Sequence, residues 1–247
     1  MSLKNLINAI AQKKALKVIS GLNNFDLANV KAVCKAAELG GATFVDIAAD
    51  VEIIKAVKES INIPVCVSAV EPQLFVSAVE AGADLIEIGN FDSFYAQGIN
   101  FSAEDVLNLT RQTRALLPNV LLSVTVPHTL PLHEQVELAQ ALEAEGADII
   151  QTEGGTSSKP NHSGILGLIE KASPTLAAAH AISKAVKIPV LCASGLSDVT
   201  VPMAIATGAS GVGVGSAVNK LNDEVAMMAV VRSLVEALDT SEVKATI

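Results

Sequence analysis

Ile188-Pro189-Val190-Leu191-Cys192-Ala193-Ser194-Gly195 and Gly211-Val212-Gly213-Val214-Gly215-Ser216 are the two stretches that decide the fold. Each is a short apolar run that ends in small residues, and a helix-length segment separates them. Apolar runs without polar alternation read as strands buried on both faces, as in a parallel sheet. Two neighbouring parallel strands followed by loops of Ala, Ser and Gly leave backbone N–H groups bare. Such groups can hold a phosphate.

The same pattern extends outward to both ends of the chain. Strands are expected at 16–21, 43–48, 63–69, 84–89, 120–126, 148–153, 188–194 and 211–215. Helical periodicity fills 26–39, 51–59, 72–81, 103–116, 131–145, 174–186, 199–207 and 221–238. Pro72 and Pro174 suit first-turn positions, Ser173 suits an N-cap, and Ser102 with Asp105 forms a capping-box pattern. Eight strands alternating with eight helices, without a break in composition, predict a single (β/α)₈ TIM barrel spanning residues 1–247 as one domain. In that fold the loops after strands seven and eight form the usual phosphate site.

An internal repeat supports the count. Ile63-Pro64-Val65 returns as Ile188-Pro189-Val190, and Ala81-Gly82-Ala83 returns as Thr207-Gly208-Ala209, each about half the chain later. An open doubly wound sheet is the other contender. No glycine-rich dinucleotide fingerprint follows the first strand to support it.

Composition narrows the function classes. The net charge of −9, with one Tyr and no Trp, argues against nucleic acid as a partner. Charges or turn residues interrupt every apolar run before membrane-spanning length, so no membrane insertion is expected. Met1 to Ala15 is a lysine-bearing amphipathic segment without a signal peptide's apolar core, which predicts a cytoplasmic protein. Cys34, Cys66 and Cys192 are odd in number and far apart, which fits neither disulfides nor a zinc site. Cys192, near a strand end, is the one with a chance of reactivity, although apolar surroundings favour an inert thiol. Homo-oligomerisation stays open.

The small-residue turns before the even strands align those strands on one another. Ala42-Thr43, Ala83-Asp84, Ala147-Asp148 and Ala209-Ser210 become equivalent, and three residues on stand Asp46, Glu87, Gln151 and Gly213. Barrel interiors are layered, each layer drawing on alternate strands, so these four are expected to share one layer. Carboxylates there need a ligand or a cation, and Lys17 on the first strand is the nearest source. Proximity of Asp46 and Glu87 would split their pKa values into an acid and a base. A purely structural salt bridge to Lys17 is the alternative.

Further polar residues gather at the same strand ends: Ser20, Ser68, Asn90, Asp92, Ser123, Thr125, His128, Thr152 and Glu153. His128 is the best placed of four histidines, with a surface role as its alternative. Gly154 to Lys171, containing Lys159 and His162, reads as a long loop, either a lid or an insertion. No histidine cluster suggests a histidine-held metal, whereas magnesium between Asp46 and Glu87 fits the preference of hard cations for oxygen. Only Lys17 is placed to form a Schiff base.

Five motifs carry a family resemblance: Ser-Gly-Leu-Asn-Asn-Phe-Asp (20–26), Val-Ser-Ala-Val-Glu-Pro (67–72), Glu-Ile-Gly-Asn-Phe-Asp-Ser-Phe-Tyr (87–95), Leu-Ser-Val-Thr-Val-Pro-His (122–128) and Gln-Thr-Glu-Gly-Gly (151–155). The chain resembles the uncharacterised hypothetical chloroplast reading frames of algal plastids and cyanobacteria. The resemblance implies a TIM barrel in a cyanobacterial cytosol or plastid stroma, and no established reaction. More distantly, Cys-Ala-Ser-Gly-Leu-Ser (192–197) and Gly-Val-Gly-Val-Gly-Ser (211–216) look like the phosphate loops of ribulose-phosphate-binding and flavin-linked barrels. That likeness implies phosphate contacts at Ser194, Gly195, Gly215 and Ser216.

The leading expectation is an enzyme for a small phosphorylated molecule, working by proton transfer or carbon–carbon bond chemistry of the isomerase, lyase or synthase type. Lys17, Asp46, Glu87, Gln151 and His128 are its candidate catalytic residues. Ser68, Asn90, Ser123, Glu153, Ser194, Gly195, Gly215 and Ser216 are its candidate ligand contacts. An FMN-linked oxidoreductase and a non-catalytic regulatory or ligand-binding barrel are the alternatives; FMN is the one cofactor considered.

Overall fold

The computed structural model describes residues 3–240. Eight parallel strands close into a barrel: β1 (Ala15–Gly21), β2 (Phe44–Ala48), β3 (Val65–Ala69), β4 (Leu85–Ile88), β5 (Leu122–Thr125), β6 (Ile149–Gln151), β7 (Val190–Ala193) and β8 (Gly211–Val214). Each strand pairs with the next in sequence, and β8 returns to β1 with Lys17 opposite Gly213. Around the barrel run α2 (Leu27–Gly40), α3 (Val51–Lys58), α4 (Pro72–Glu80), α6 (Ala103–Leu116), α7 (Leu132–Ala144), α8 (Gly164–Ser183), α9 (Val201–Ala206) and α11 (Glu224–Thr240). Three further helices, α1 (Leu3–Ala11), α5 (Asp92–Tyr95) and α10 (Ser216–Asn219), were not expected as helices from the sequence.

Local chemistry accounts for the register. Thr43, Asp84 and Asp148 hold the aligned position at the start of successive even strands. The Thr43 hydroxyl accepts from the Leu16 N–H at 3.0 Å, and Asp84 from the Val65 N–H at 2.7 Å. Asp148 accepts from the Leu122 N–H at 2.8 Å. Each side chain therefore ties its strand to the one before it. The repeated prolines also play one role: the Pro64 carbonyl accepts from Val45 N–H, and the Pro189 carbonyl from Ile150 N–H.

The amphipathic N-terminal segment forms the floor. Leu6 and Ile10 of α1 pack beneath Ala15, Phe44, Cys66, Leu85, Ile149 and Leu191. This apolar plug closes the end of the barrel opposite the strands' C-terminal ends. Larger apolar clusters lie between strands and helices, with Val18, Val45, Val67, Val212 and Val214 in one and Ile86, Ile88, Val124 and Ile150 in the other. Each such side chain contributes about 1.5–3 kcal/mol by burial.

Two expectations fail in one place. The helix expected at 174–186 starts at Gly164, so Ser173 is no N-cap and Pro174 lies inside α8. Pro174 offers no N–H to the carbonyl four residues earlier. That carbonyl, on Glu170, instead accepts from the Ser158 hydroxyl at 3.2 Å. The Ser173 hydroxyl turns back onto the Ile169 carbonyl at 2.9 Å. The loop expected through Lys171 consequently ends at 163. It is pinned to the helix: Glu170 accepts from the Asn161 and His162 N–H groups and pairs with the His162 ring at 2.6 Å. Elsewhere Ser102 and Asp105 form the expected capping box, and Pro72 begins α4.

Candidate functional site

The expected polar layer exists, and Lys17 is its hub. Its ammonium lies 2.7 Å from Glu87 Oε2, 3.4 Å from Asp46 Oδ2 and 3.1 Å from Gln151 Oε1. All three charged side chains are 0% exposed. Every carboxylate oxygen has a donor. Ser68 Oγ donates to Asp46 Oδ1 at 2.6 Å, and Ser123 Oγ to Glu87 Oε2 at 2.6 Å. The Gln151 amide donates to Glu87 Oε1 at 2.7 Å. Asn90 Nδ2 lies 3.0 Å from Asp46 Oδ2 and 3.3 Å from Glu87 Oε1.

Gly213 completes the layer by leaving space. A Cβ there would stand 2.8 Å from the Ala193 Cβ and 3.5 Å from Gln151 Oε1. Burial alone would lower the Lys17 pKa, but the Asp46 and Glu87 charges outweigh it and hold the ammonium above its ordinary value. An amine kept protonated is no Schiff-base nucleophile. It also fills the space in which magnesium between Asp46 and Glu87 was considered. Burial raises Glu87, and Lys17 pulls it back down.

Directly above this layer opens a cavity of about 210 Å³ at the strands' C-terminal ends. Among the expected residues, Asn90, Gln151, Glu153, Ser194, Gly195, Gly215 and Ser216 line it. Lys17, Asp46, Glu87, Ser68 and Ser123 do not line it; they lie beneath Asn90 and Gln151. His128 stands behind the wall, bonded to Glu153. Asp92, Ser93, Thr152, Thr156 and Asn219 line the cavity too; the sequence places Asp92 and Thr152 among the strand-end polar residues without making them ligand contacts. Asp92 had a signal, because it follows a strand end as Glu153 does; Thr156 and Asn219 had none.

The cavity mouth concentrates backbone strain. Asn90 (φ +61°) and Ser194 (φ +80°) are two of four non-glycine residues with left-handed backbones among the described residues. Such conformations persist where surrounding structure imposes them, commonly at functional sites. After Ser194, Gly195 is left-handed as well (φ +74°), and Gly155 presses on it so closely that a Cβ on Gly155 would lie 2.4 Å from the Gly195 Cα. Thr156 N–H donates to Ser194 Oγ at 3.0 Å, tying the loop after β6 to the loop after β7. Across the cavity, Ser216 and Ala217 open α10, so their N–H groups have no carbonyl one turn earlier within the helix.

One wall is acidic. Glu153, two residues past β6, accepts at Oε1 from the Tyr95 hydroxyl and from His128 N–H at 3.1 Å, with the His128 ring also at 3.1 Å. Burial raises the Glu153 pKa, His128 lowers it, and Asp92 adds to the rise. The hydrogen bond to Glu153 raises His128 against the effect of burial. Ser194 Oγ donates to Asp92 Oδ2 at 3.2 Å. Cys192 is buried near Thr175, with its thiol pushed up to about 12 by burial, and is inert at neutral pH.

The chain belongs to the family described as "Protein of unknown function (DUF561)", which it matches over residues 1–244. It is 47% identical over 241 residues to uncharacterized protein ycf23 of Cyanophora paradoxa, covering 96% of this chain and 97% of that one. The fold is a TIM barrel. The thiamine phosphate pyrophosphorylase of Pyrococcus furiosus superposes with a TM-score of 0.61 at 20% identity, over 98% of this chain and 100% of that one. The (S)-3-O-geranylgeranylglyceryl phosphate synthase of Thermoplasma acidophilum, solved with sn-glycerol-1-phosphate, gives 0.64 at 14% identity, over 97% and 99%. Among the described residues no helix is long and apolar enough to cross a membrane.

Proposed function

We propose that this barrel is an enzyme acting on a small phosphorylated metabolite, by proton transfer or carbon–carbon bond chemistry of the isomerase, lyase or synthase type. The observation that carries this reading is the cavity bounded on one side by Ser194-Gly195 and Gly215-Ser216 and on the other by Glu153 and Asp92. The phosphate sits against the bare N–H groups of the loops after β7 and β8, the place where barrels of this class bind phosphate. The two solved barrels named above carry phosphorylated compounds in their names, which supports the reading by analogy of fold alone.

The residues divide the work by depth. Asn90 and Gln151 stand between the cavity and the buried layer, and Glu87, bonded to both, fixes their orientation. Lys17 and Asp46 keep that floor charged and rigid. Glu153 and Asp92, with His128 and Tyr95 behind them, are the ionisable groups at the ligand. The cavity, at about 210 Å³, is below the roughly 300–1,000 Å³ of sites for drug-sized ligands, which favours a compact substrate over FMN. The plastid stroma or the cyanobacterial cytosol is the setting that fits the family.

Calorimetry with sn-glycerol-1-phosphate and inorganic pyrophosphate, in magnesium-containing buffer, tests the phosphate site on wild type and Gly215→Asp. A Cβ at Gly215 would stand 3.3 Å from the Ile19 carbonyl oxygen and 3.6 Å from the Ile19 Cβ, and φ is −119°, so the variant is expected to place a carboxylate at the cavity with a small local shift. Binding to wild type and its loss in the variant are expected. Unchanged affinity would remove the site. A purified protein that is yellow, or that takes up FMN, would favour the flavin alternative.

A further inference from the structure

The acidic wall of the cavity is assembled from successive strand ends. Asp92 opens α5 after β4, His128 follows β5, and Glu153 follows β6. His128 Nδ1 stands 3.1 Å from Glu153 Oε1 and 3.7 Å from Asp92 Oδ1. One ligand atom from each of the three residues lies within 4.8 Å of the others. An octahedral ion with bonds of about 2.1 Å sets its ligands roughly 3 to 4.2 Å apart, and the 3.1 and 3.7 Å separations from His128 Nδ1 fall within that range.

The hydrogen bonds around this wall are one-sided. Glu153 Oε1 accepts from the Tyr95 hydroxyl and the His128 N–H and lies 3.1 Å from the His128 ring, while Oε2 is buried with no partner. Asp92 Oδ2 accepts from Ser194, while Oδ1 is likewise buried and unpartnered. The Glu153 side chain is only 5% exposed. A buried acceptor left unsatisfied is costly, and more so when it is charged. The cavity also has the wrong sign for an anion, since no Lys or Arg lines it while two carboxylates do.

We propose that Asp92 Oδ1, Glu153 Oε2 and a ring nitrogen of His128 hold a divalent cation of the Mg²⁺/Mn²⁺ class, which bridges to the phosphate oxygens of the ligand. Two carboxylates with one imidazole suit such an ion. The ion satisfies both unpartnered oxygens and reverses the sign of the wall that faces Ser194. It leaves coordination positions for water and phosphate. The bridging role rests on the phosphate reading of the preceding subsection; the cation site does not.

The test begins with the metal alone. Chelator-treated protein is titrated with Mn²⁺, and free ion is read from its electron paramagnetic resonance signal. One site per chain is expected, weakened at least about tenfold in Glu153→Gln and in Asp92→Asn and unchanged in the surface variant Asp198→Asn. Asp92 starts a short helix at the cavity rim, so its variant keeps the test valid if Glu153→Gln folds poorly. Absence of a site, or a site indifferent to both substitutions, overturns the proposal. Inorganic pyrophosphate is then titrated with and without Mn²⁺, and binding is expected only with the ion. Equal affinity in both conditions refutes the bridge. If Mn²⁺ binds at this site but pyrophosphate never does, the phosphate reading falls and the cation site stands.

Discussion

Replacing Lys17 with Met tests whether the buried layer is held together by charge. The ammonium lies 2.7 Å from one carboxylate and 3.4 Å from the other, with all three side chains fully buried. At an effective dielectric of about 20 these contacts are worth about 6 and 5 kcal/mol before the cost of desolvating the three charges. Removing one partner of a buried pair typically costs about 3–5 kcal/mol, because the remaining charge is left uncompensated. For a chain of this length each kcal/mol moves Tm by about 2–4 °C, so Lys17→Met is expected to melt about 6–20 °C lower.

The pH dependence gives a second readout. Glu87, already raised by burial, loses in this variant the charge that pulls it down. A carboxyl whose pKa is higher folded than unfolded favours folding below its ordinary value of about 4.3, and that advantage is lost as pH rises towards the folded value. Lys17→Met is therefore expected to be more stable at pH 5 than at pH 8. Adding Glu87→Gln and Asp46→Asn removes the buried charge altogether, which should recover most of the loss and abolish this pH trend. Urea denaturation at both pH values measures each variant. A single substitution costing under about 1 kcal/mol, or a triple variant no better than the single, would refute the electrostatic account.

Three further outcomes follow from the packing. Cys34, Cys66 and Cys192 are buried, and burial pushes Cys34 and Cys192 up to about 12. A chromogenic disulfide reagent at pH 8 is thus expected to find no fast thiol in the folded protein and three after denaturation; a fast native thiol contradicts the packing. Gly155→Ala forces a methyl against the Ser194–Gly195 backbone, and should cost about 1–3 kcal/mol in urea denaturation while weakening phosphate binding. Ser102→Ala removes the hydroxyl that caps α6 and should cost about 0.5–2 kcal/mol by the same measurement, without touching ligand affinity.

The barrel was legible because strand and helix alternate without interruption and the half-chain repeat fixes the count. The polar layer was legible because a small-residue turn marks the same position in each even strand, and Asp46, Glu87 and Gln151 follow at equal distance. Parity says which way a side chain points. It does not say how deep the cavity reaches, and that depth separates Glu87 from Glu153: the first is sealed within β4, the second lies just past the end of β6. The start of α8 was illegible for a different reason. Ser173-Pro174 carries the local signal of a helix N-terminus, yet the helix runs through it, with the Glu170 carbonyl that Pro174 leaves without an N–H accepting from the distant Ser158 hydroxyl.

The contrast between the two tiers bears on where function resides. In the sealed layer, Asp46 and Glu87 bring four carboxylate oxygens into the least forgiving part of the molecule, and each has at least one donor. A few ångströms nearer solvent, where water could reach and satisfaction should be easier, Asp92 and Glu153 each keep one oxygen buried and unmatched. The two unmatched carboxylate oxygens share one wall of one cavity, beside the loops after β7 and β8 and a serine held at positive φ, while the neutral Thr113 Oγ1 and Asn219 Oδ1 are the other buried side-chain atoms without a partner among the described residues. Uncompensated charge next to such strain is costly to folding. It is best explained by a positively charged or donor-rich ligand that meets Asp92 and Glu153 from the cavity side.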